Sequence, residues 1–195
     1  MNELRIGCLI MAAGNASRFG SNKLSAEIDG KMLLEHALEA VPTEEFARVT
    51  VVTQYDEVLV LAKRFGFTVL VNPFPEWGAS HTIKLGTEAM EDCDAIVYQV
   101  ADQPLLRRES VRAQVEFFRR NPTNIVAMGH GGVRGNPCIF PKRYFPELTA
   151  LSGDLGGSAV IRRHEDALRL FEVTEDELRD VDTPMALAAL RDTLG

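Results

Sequence analysis

Two basic residues, Arg18 and Lys23, sit at short fixed offsets behind a turn of small residues, Ala12-Ala13-Gly14, that ends the apolar run at 6–11. Small residues let backbone N–H groups approach a ligand without a Cβ in the way. Successive N–H groups in such a turn form a concavity suited to anions, and the two cations add full positive charge. The chemistry this pattern offers is a cradle for nucleotide phosphates. A hard carboxylate, Asp102, follows the apolar run at 95–100 in Ala101-Asp102-Gln103-Pro104. Near a phosphate cradle it is placed to hold Mg²⁺ with help from the nucleotide's own phosphates; a turn-forming Asp ahead of a proline is the plainer alternative.

Neither of the two commonest phosphate loops is present. The pattern G-x-G-x-x-G is missing, and Gly20 is followed by Ser21 rather than the Lys of a P-loop. A second carboxylate, Asp182, lies in Asp180-Val181-Asp182-Thr183-Pro184, where Thr183 can cap a helix and Pro184 can take its first position. The segment Asn72-Pro73 to Gly78-Ala79-Ser80-His81 joins a strand to a helix, whose first free N–H groups favour an anion or an electron-rich base edge. Further along, the glycines and amide of Gly135-Asn136-Pro137 and of Gly153-Asp154 offer donors to a heterocycle edge or a terminal phosphate. A glycine hairpin and a helix cap are the plainer readings of those two pieces.

The elements that must position these residues alternate. Strand-like runs occupy 5–11, 48–53, 68–71, 95–100, 124–128, 138–140 and 168–173, and helix-like patterns occupy 32–41, 57–65, 81–90, 110–119, 158–163 and 184–194. Such alternation predicts βαβ crossovers and an α/β fold with one doubly wound, mostly parallel sheet. The run at 95–100, broken only by Gln99, suits a central strand covered on both faces. Ligands are expected at the carboxyl ends of the strands, where Thr53 and Ser80 join the expected nucleotide contacts. The glycine-rich piece at 129–135 reads as a loop within a single domain spanning 1–195.

Composition narrows the class. With 195 residues, 46% of them hydrophobic, the chain can bury one α/β core. A formal charge of −7 with no basic tract argues against a nucleic-acid binder. No apolar run approaches the roughly 20 residues of a membrane span, and the opening residues lack a signal-peptide layout, so no membrane association and a cytoplasmic location are expected. Cys8, Cys93 and Cys138 are scattered and form no C-x-x-C pair, so neither a disulfide framework nor a transition-metal site is indicated.

The segment at 9–24 resembles the signature of the MobA-like nucleotidyltransferases, roughly (L)-A-(A/G)-G-x-x-x-R-(M/F)-G-x-x-K. Its double alanine before Gly14 looks like the molybdenum cofactor cytidylyltransferase branch. Ala-Asp-Gln-Pro, Asp-Val-Asp-Thr-Pro and Gly-x-x-Gly-x-Pro-x-x-Phe at 132–140 resemble further family elements in the same order; Ala79 and His81 depart from its usual Gly-Met-Ser-Ser-Ser loop. The resemblance implies a Rossmann-like fold of the nucleotide-diphospho-sugar transferase kind and transfer of CMP from CTP to a phosphate of molybdopterin, with release of pyrophosphate. It implies Mg²⁺ held by Asp102 and Asp182, catalysis by Lys23, Arg18 and Asp102, and nucleotide contacts from Ala12, Ala13, Gly14, Arg18, Lys23, Thr53, Ser80 and Asp102. The molybdopterin side would meet Gly135, Asn136, Pro137, Gly153 and Asp154, and a molybdenum hydroxylase would be the client. Rival readings are a guanylyltransferase of the same cofactor, a cytidylyl- or uridylyltransferase acting on a sugar phosphate, and a carrier of finished cofactor without catalysis.

Overall fold

A computed structural model of the chain describes residues 4–14 and 22–194. The elements run β1 (Ile6–Ala12), β2 (Glu27–Ile28), β3 (Lys31–Met32), α1 (Leu33–Glu39), β4 (Arg48–Thr53), α2 (Asp56–Arg64), β5 (Thr68–Val71) and α3 (Ala79–Glu88). They continue with β6 (Ala95–Val100), α4 (Arg108–Arg120), β7 (Ile125–His130), β8 (Val133–Pro141), α5 (Phe145–Thr149), α6 (Gly157–Arg163), β9 (Leu168–Glu172) and α7 (Pro184–Leu194). Seven strands form one sheet in the order β5-β4-β1-β6-β8-β7-β9, and β2 with β3 makes a small separate hairpin. β5, β4, β1 and β6 pair in parallel, β8 runs antiparallel between β6 and β7, and β9 is parallel to β7. The expected Rossmann-like, doubly wound α/β architecture is what the chain adopts.

Strand alternation divides the core between the two faces. Ile6, Cys8 and Ile10 of β1 pack with Leu34, Leu38, Leu61 and Phe118, under α1, α2 and α4. Leu9, with Ile96 and Tyr98 of β6, packs on Ile83, Leu148 and Val160, under α3, α5 and α6. Because both faces are covered, β1 and β6 read as continuous apolar runs. Gln99 breaks the β6 run and remains satisfied in part, since its Nε2 donates to the Ala37 carbonyl of α1 at 2.8 Å. In α3, Gly86 is forced by proximity: a Cβ there would stand 2.3 Å from Leu9 Cδ1. At the chain's end, Thr183 Oγ1 accepts from Ala186 N at 3.1 Å, so Thr183 caps α7 and Pro184 opens it.

Two expectations change. The strand expected at 138–140 begins at Val133, and the glycine-rich loop is instead the tight β7–β8 hairpin, turned at Gly131 and Gly132 with φ of 56° and 83°. Gly135, Asn136 and Pro137 are poor strand formers and sit where the β7 register shifts, between Arg134 opposite Gly129 and Cys138 opposite Ala127, so the paired residues on either side carry the strand through them. None of the described helices is long and apolar enough to cross a membrane.

Candidate functional site

The chain leaves β1 toward β4 and β5 on one side, then returns to β6 on the other, so β1 and β6 flank the point where strand order reverses. An open α/β sheet forms its ligand crevice there, outside the carboxyl ends of the strands. Here that crevice is a cavity of about 510 Å³, lined by residues 11–14 at the end of β1, 100–102 at the end of β6, Lys23 and Leu24, Gly78 and Thr82 around the start of α3, and Asp154. Ala12 and Ala13 are buried in its wall. The β4 end pins the turn from behind: Gln54 Nε2 donates to the Ala13 carbonyl and Tyr55 Oη to the Gly14 carbonyl, both at 2.8 Å.

Lys23 opens a 3₁₀ turn (Lys23–Ser25) capped by Asn22, whose Oδ1 accepts from Leu24 N at 3.1 Å. Its Nζ donates to Asp102 Oδ2 at 2.6 Å and to Asp182 Oδ1 at 2.8 Å. Residues far apart in sequence thus meet at one cation on the cavity floor. Partial burial works to lower the Lys23 pKa, but the two carboxylates outweigh it and hold the ammonium above its ordinary value. The Asp182 segment is drawn in by two bonds: Val181 N donates to the Asp102 carbonyl at 2.9 Å, and Gln103 Nε2 to the Leu178 carbonyl at 3.1 Å. Asp180 joins the cluster as a third acid. Although part of Asp180 faces solvent, partial desolvation of its carboxyl, reinforced by the neighbouring Asp102 and Asp182 charges, pushes it up to about 6, against the pull of Gln103 and Lys23. One ammonium therefore faces three carboxyl groups among the described residues.

Two loops close the far wall. Gly78 has φ of 82°, and a Cβ on it would lie 2.5 Å from the Gly153 carbonyl and from Asp154 Oδ1. Only glycine serves at that close, left-handed position. Ser80 N donates to the Gly153 carbonyl at 3.2 Å, locking the start of α3 to the loop before α6. The Ser80 N–H is therefore engaged by protein, and its side chain is buried.

Residues 8–168 match the family model described as the MobA-like NTP transferase domain. The chain belongs to that family. Among curated relatives, the purine catabolism protein PucB of Bacillus subtilis is 26% identical over 191 residues, covering 90% of this chain and 91% of PucB. A protein of Thermococcus sibiricus named as a probable molybdenum cofactor guanylyltransferase is 28% identical over 121 residues, 59% of this chain and 57% of that one. Among solved structures, Rv0371c from Mycobacterium tuberculosis superposes with a TM-score of 0.83 at 21% identity, covering 98% of this chain and 100% of that one. A second crystal structure of Rv0371c is a complex with manganese, with a TM-score of 0.79 at 20% identity over 97% of this chain and 99% of that one.

The structure brings Ala12, Ala13, Gly14, Lys23, Asp102 and Asp154 together on one cavity, with Asp182 tied to its floor through Lys23. Arg18 lies outside the described residues. Thr53 stands off the cavity lining, buried, with Oγ1 accepting from Tyr55 N at 3.0 Å. Gly135 and Asn136 line a second, smaller cavity of about 190 Å³ that shares Met11 with the first; Arg134, Ser158 and Phe140 also line it. Pro137 follows Asn136 through a cis peptide bond. The signature pattern does not single out Asp180, Thr82 or Arg134. Asp180 was visible only as the first acid of Asp-Val-Asp. Thr82 comes into view through its place on the cavity lining and its bond to Asn72, whose Nδ2 donates to Thr82 Oγ1 at 3.1 Å.

Proposed function

We propose that this protein transfers CMP from CTP to a terminal phosphate of a molybdopterin-type cofactor and releases pyrophosphate. The observation that carries the reading is the meeting of Lys23, Asp102 and Asp182 at the carboxyl ends of β1 and β6, beside the small-residue turn at 12–14. Hard carboxylate oxygens converging on a single cation suit Mg²⁺, and the Lys23 ammonium already occupies the position of a counter-ion. When bound, the metal would disperse charge developing on the α-phosphate.

The chain's own residues do the rest. The turn at 12–14 would receive the triphosphate tail, with Arg18 and Lys23 stabilising the pyrophosphate as it leaves. Ionised phosphate is already a nucleophile at neutral pH, so the reaction needs alignment and charge neutralisation rather than a general base. The acceptor would lie toward the second cavity, along Gly135, Asn136 and Pro137, with Asp154 on the wall of the first cavity and Gly153 beside it. Ala13 supports the choice of base: its buried methyl takes room that glycine would leave, which favours a pyrimidine over guanine. The Thermococcus relative, named for guanylyl transfer, favours the alternative of GTP. A client molybdenum hydroxylase would receive the product.

Pyrophosphate release measured with each of the four nucleoside triphosphates, with and without a molybdopterin-type acceptor, tests this reading. Release with CTP that depends on the acceptor is the expected result. A preference for GTP would overturn the assignment of the base, and release with a sugar phosphate in place of the pterin would overturn the assignment of the acceptor.

A further inference from the structure

The position proposed for the metal is already taken by a side chain. Lys23 Nζ holds Asp102 Oδ2 at 2.6 Å and Asp182 Oδ1 at 2.8 Å, which are oxygens a divalent cation would need. Among the described residues no group of three or more His, Cys, Asp or Glu side chains is arranged to hold a metal ion. An ion arriving alone must therefore displace an ammonium from two charge-assisted hydrogen bonds, and it gains few protein ligands in return. An ion arriving with a triphosphate meets different conditions. The phosphate oxygens give the Lys23 donors a new partner and complete the coordination of the ion.

We propose that Lys23 is an exchangeable placeholder, bound to Asp102 and Asp182 in the nucleotide-free protein and passing to the triphosphate when nucleotide arrives, so that the divalent cation enters only with the nucleotide. This rests on the reading of Asp102 and Asp182 as metal ligands. The local structure permits such an exchange without a backbone rearrangement. Asn22 fixes the turn on one side through its bonds to Leu24 N and to Glu57 Oε1, and Leu24 is buried on the other. The mobile part is the four-carbon stem of the lysine, which carries three rotatable donors. The Asp182 side chain is half exposed, so one of the two grips opens directly to solvent. Linkage makes the effect reciprocal: nucleotide raises affinity for the ion, and the ion raises affinity for nucleotide by the same factor.

The test is Mn²⁺ binding to the whole, nucleotide-free protein, followed by electron paramagnetic resonance of the free ion. Lys23→Met, which keeps the stem and removes the charge, should bind Mn²⁺ at least ten-fold more tightly than wild type, with Lys23→Gln as a second variant should the first fold poorly. Arg179→Met removes a cation of the same segment that pairs with Asp176 instead; it should stay within two-fold of wild type. Adding Asp102→Asn to Lys23→Met should abolish the gain. Lys23→Met and Lys23→Gln both within two-fold of wild type would overturn the placeholder alone. An equal gain in Arg179→Met would reduce the effect to general electrostatics and overturn it too. If Asp102→Asn leaves the tighter binding untouched, Asp102 is not a ligand, and the underlying reading fails along with the proposal.

Discussion

Two pairings of acid with base stand close together on the C-terminal stretch and are built to opposite ends. Glu177 is 2% exposed and fully engaged. Its Oε1 accepts from Arg107 Nη2 at 2.7 Å and Thr174 Oγ1 at 3.1 Å, its Oε2 accepts from Arg107 N at 3.3 Å, and with Thr174 it forms a capping box. Burial works to raise its pKa, yet Arg107, Ser110 and the surrounding N–H groups hold the carboxyl below its ordinary value. A few residues on, Asp180 and Asp182 share with Asp102 a single lysine among the described residues, and the Asp180 carboxyl is pushed the other way, to about 6. One cluster satisfies its charge and fixes the chain; the other, among the described residues, leaves negative charge unmatched where a ligand can enter. The difference separates a strut from a site more sharply than burial alone, since Lys23 and Asp102 are themselves mostly covered.

The largest effect should come from the unmatched cluster, and it should appear in rate rather than stability. Asp102→Asn is expected to lower turnover by roughly 10²–10³-fold, the scale of losing one preorganised electrostatic contact to a transition state. Lys23 keeps Asp182, and the Asp102 carbonyl keeps Val181 N, so the melting temperature should move by no more than about 3 °C. Near-normal turnover would remove Asp102 from the chemistry. Glu177→Ala should do the reverse. Loss of charged hydrogen bonds around a buried carboxylate costs about 2–3 kcal/mol, or about 2–4 °C of melting temperature per kcal/mol in a chain of this size, while Mn²⁺ binding stays unchanged. A depressed carboxyl contributes stability that is present above its unfolded value, 4.5, and is lost as pH falls through its lower native value. The deficit of Glu177→Ala in urea unfolding should therefore shrink below about pH 4.5, and a deficit independent of pH would mean that packing, not charge, makes the strut.

The sequence made the strut hard to see and the site easy. Glu175-Asp176-Glu177 reads as an exposed acidic run, and only the offset from Thr174 to Glu177 signals the capping box. Lys23, Asp102 and Asp182 stood out because each lies in a compact pattern of turn residues next to a strand or helix end. β6 and α7 were legible to the residue, one from an apolar run broken only by Gln99 and the other from a Thr-Pro start. The extended β8 was not, because its first half owes its strand form to neighbours rather than to Gly135, Asn136 or Pro137. The wall formed by Gly78 against Gly153 and Asp154 was equally hidden: two distant loops meet there through a missing side chain, and local sequence carries no trace of which loop a glycine will touch.

The smallest effect is the most discriminating, because its sign is opposite to that of Glu177. A carboxyl raised in the folded state binds protons there that the unfolded chain has already released, so stability falls as pH rises from 3.8 toward about 6. Asp180→Asn has no such titration. Below pH 3.8 it should match wild type, and its advantage should grow through that window and level off above it. Asp180 is exposed enough for solvent to screen the interaction, so the gain at pH 7 should not exceed about 1 kcal/mol. Urea unfolding of both proteins at pH 3.5, 5 and 7, without nucleotide or divalent ion, reads the difference directly. A variant less stable than wild type at pH 7 would show that Lys23 and Gln103 already satisfy Asp180, and the contrast between an unmatched site and a matched strut would lose its third acid.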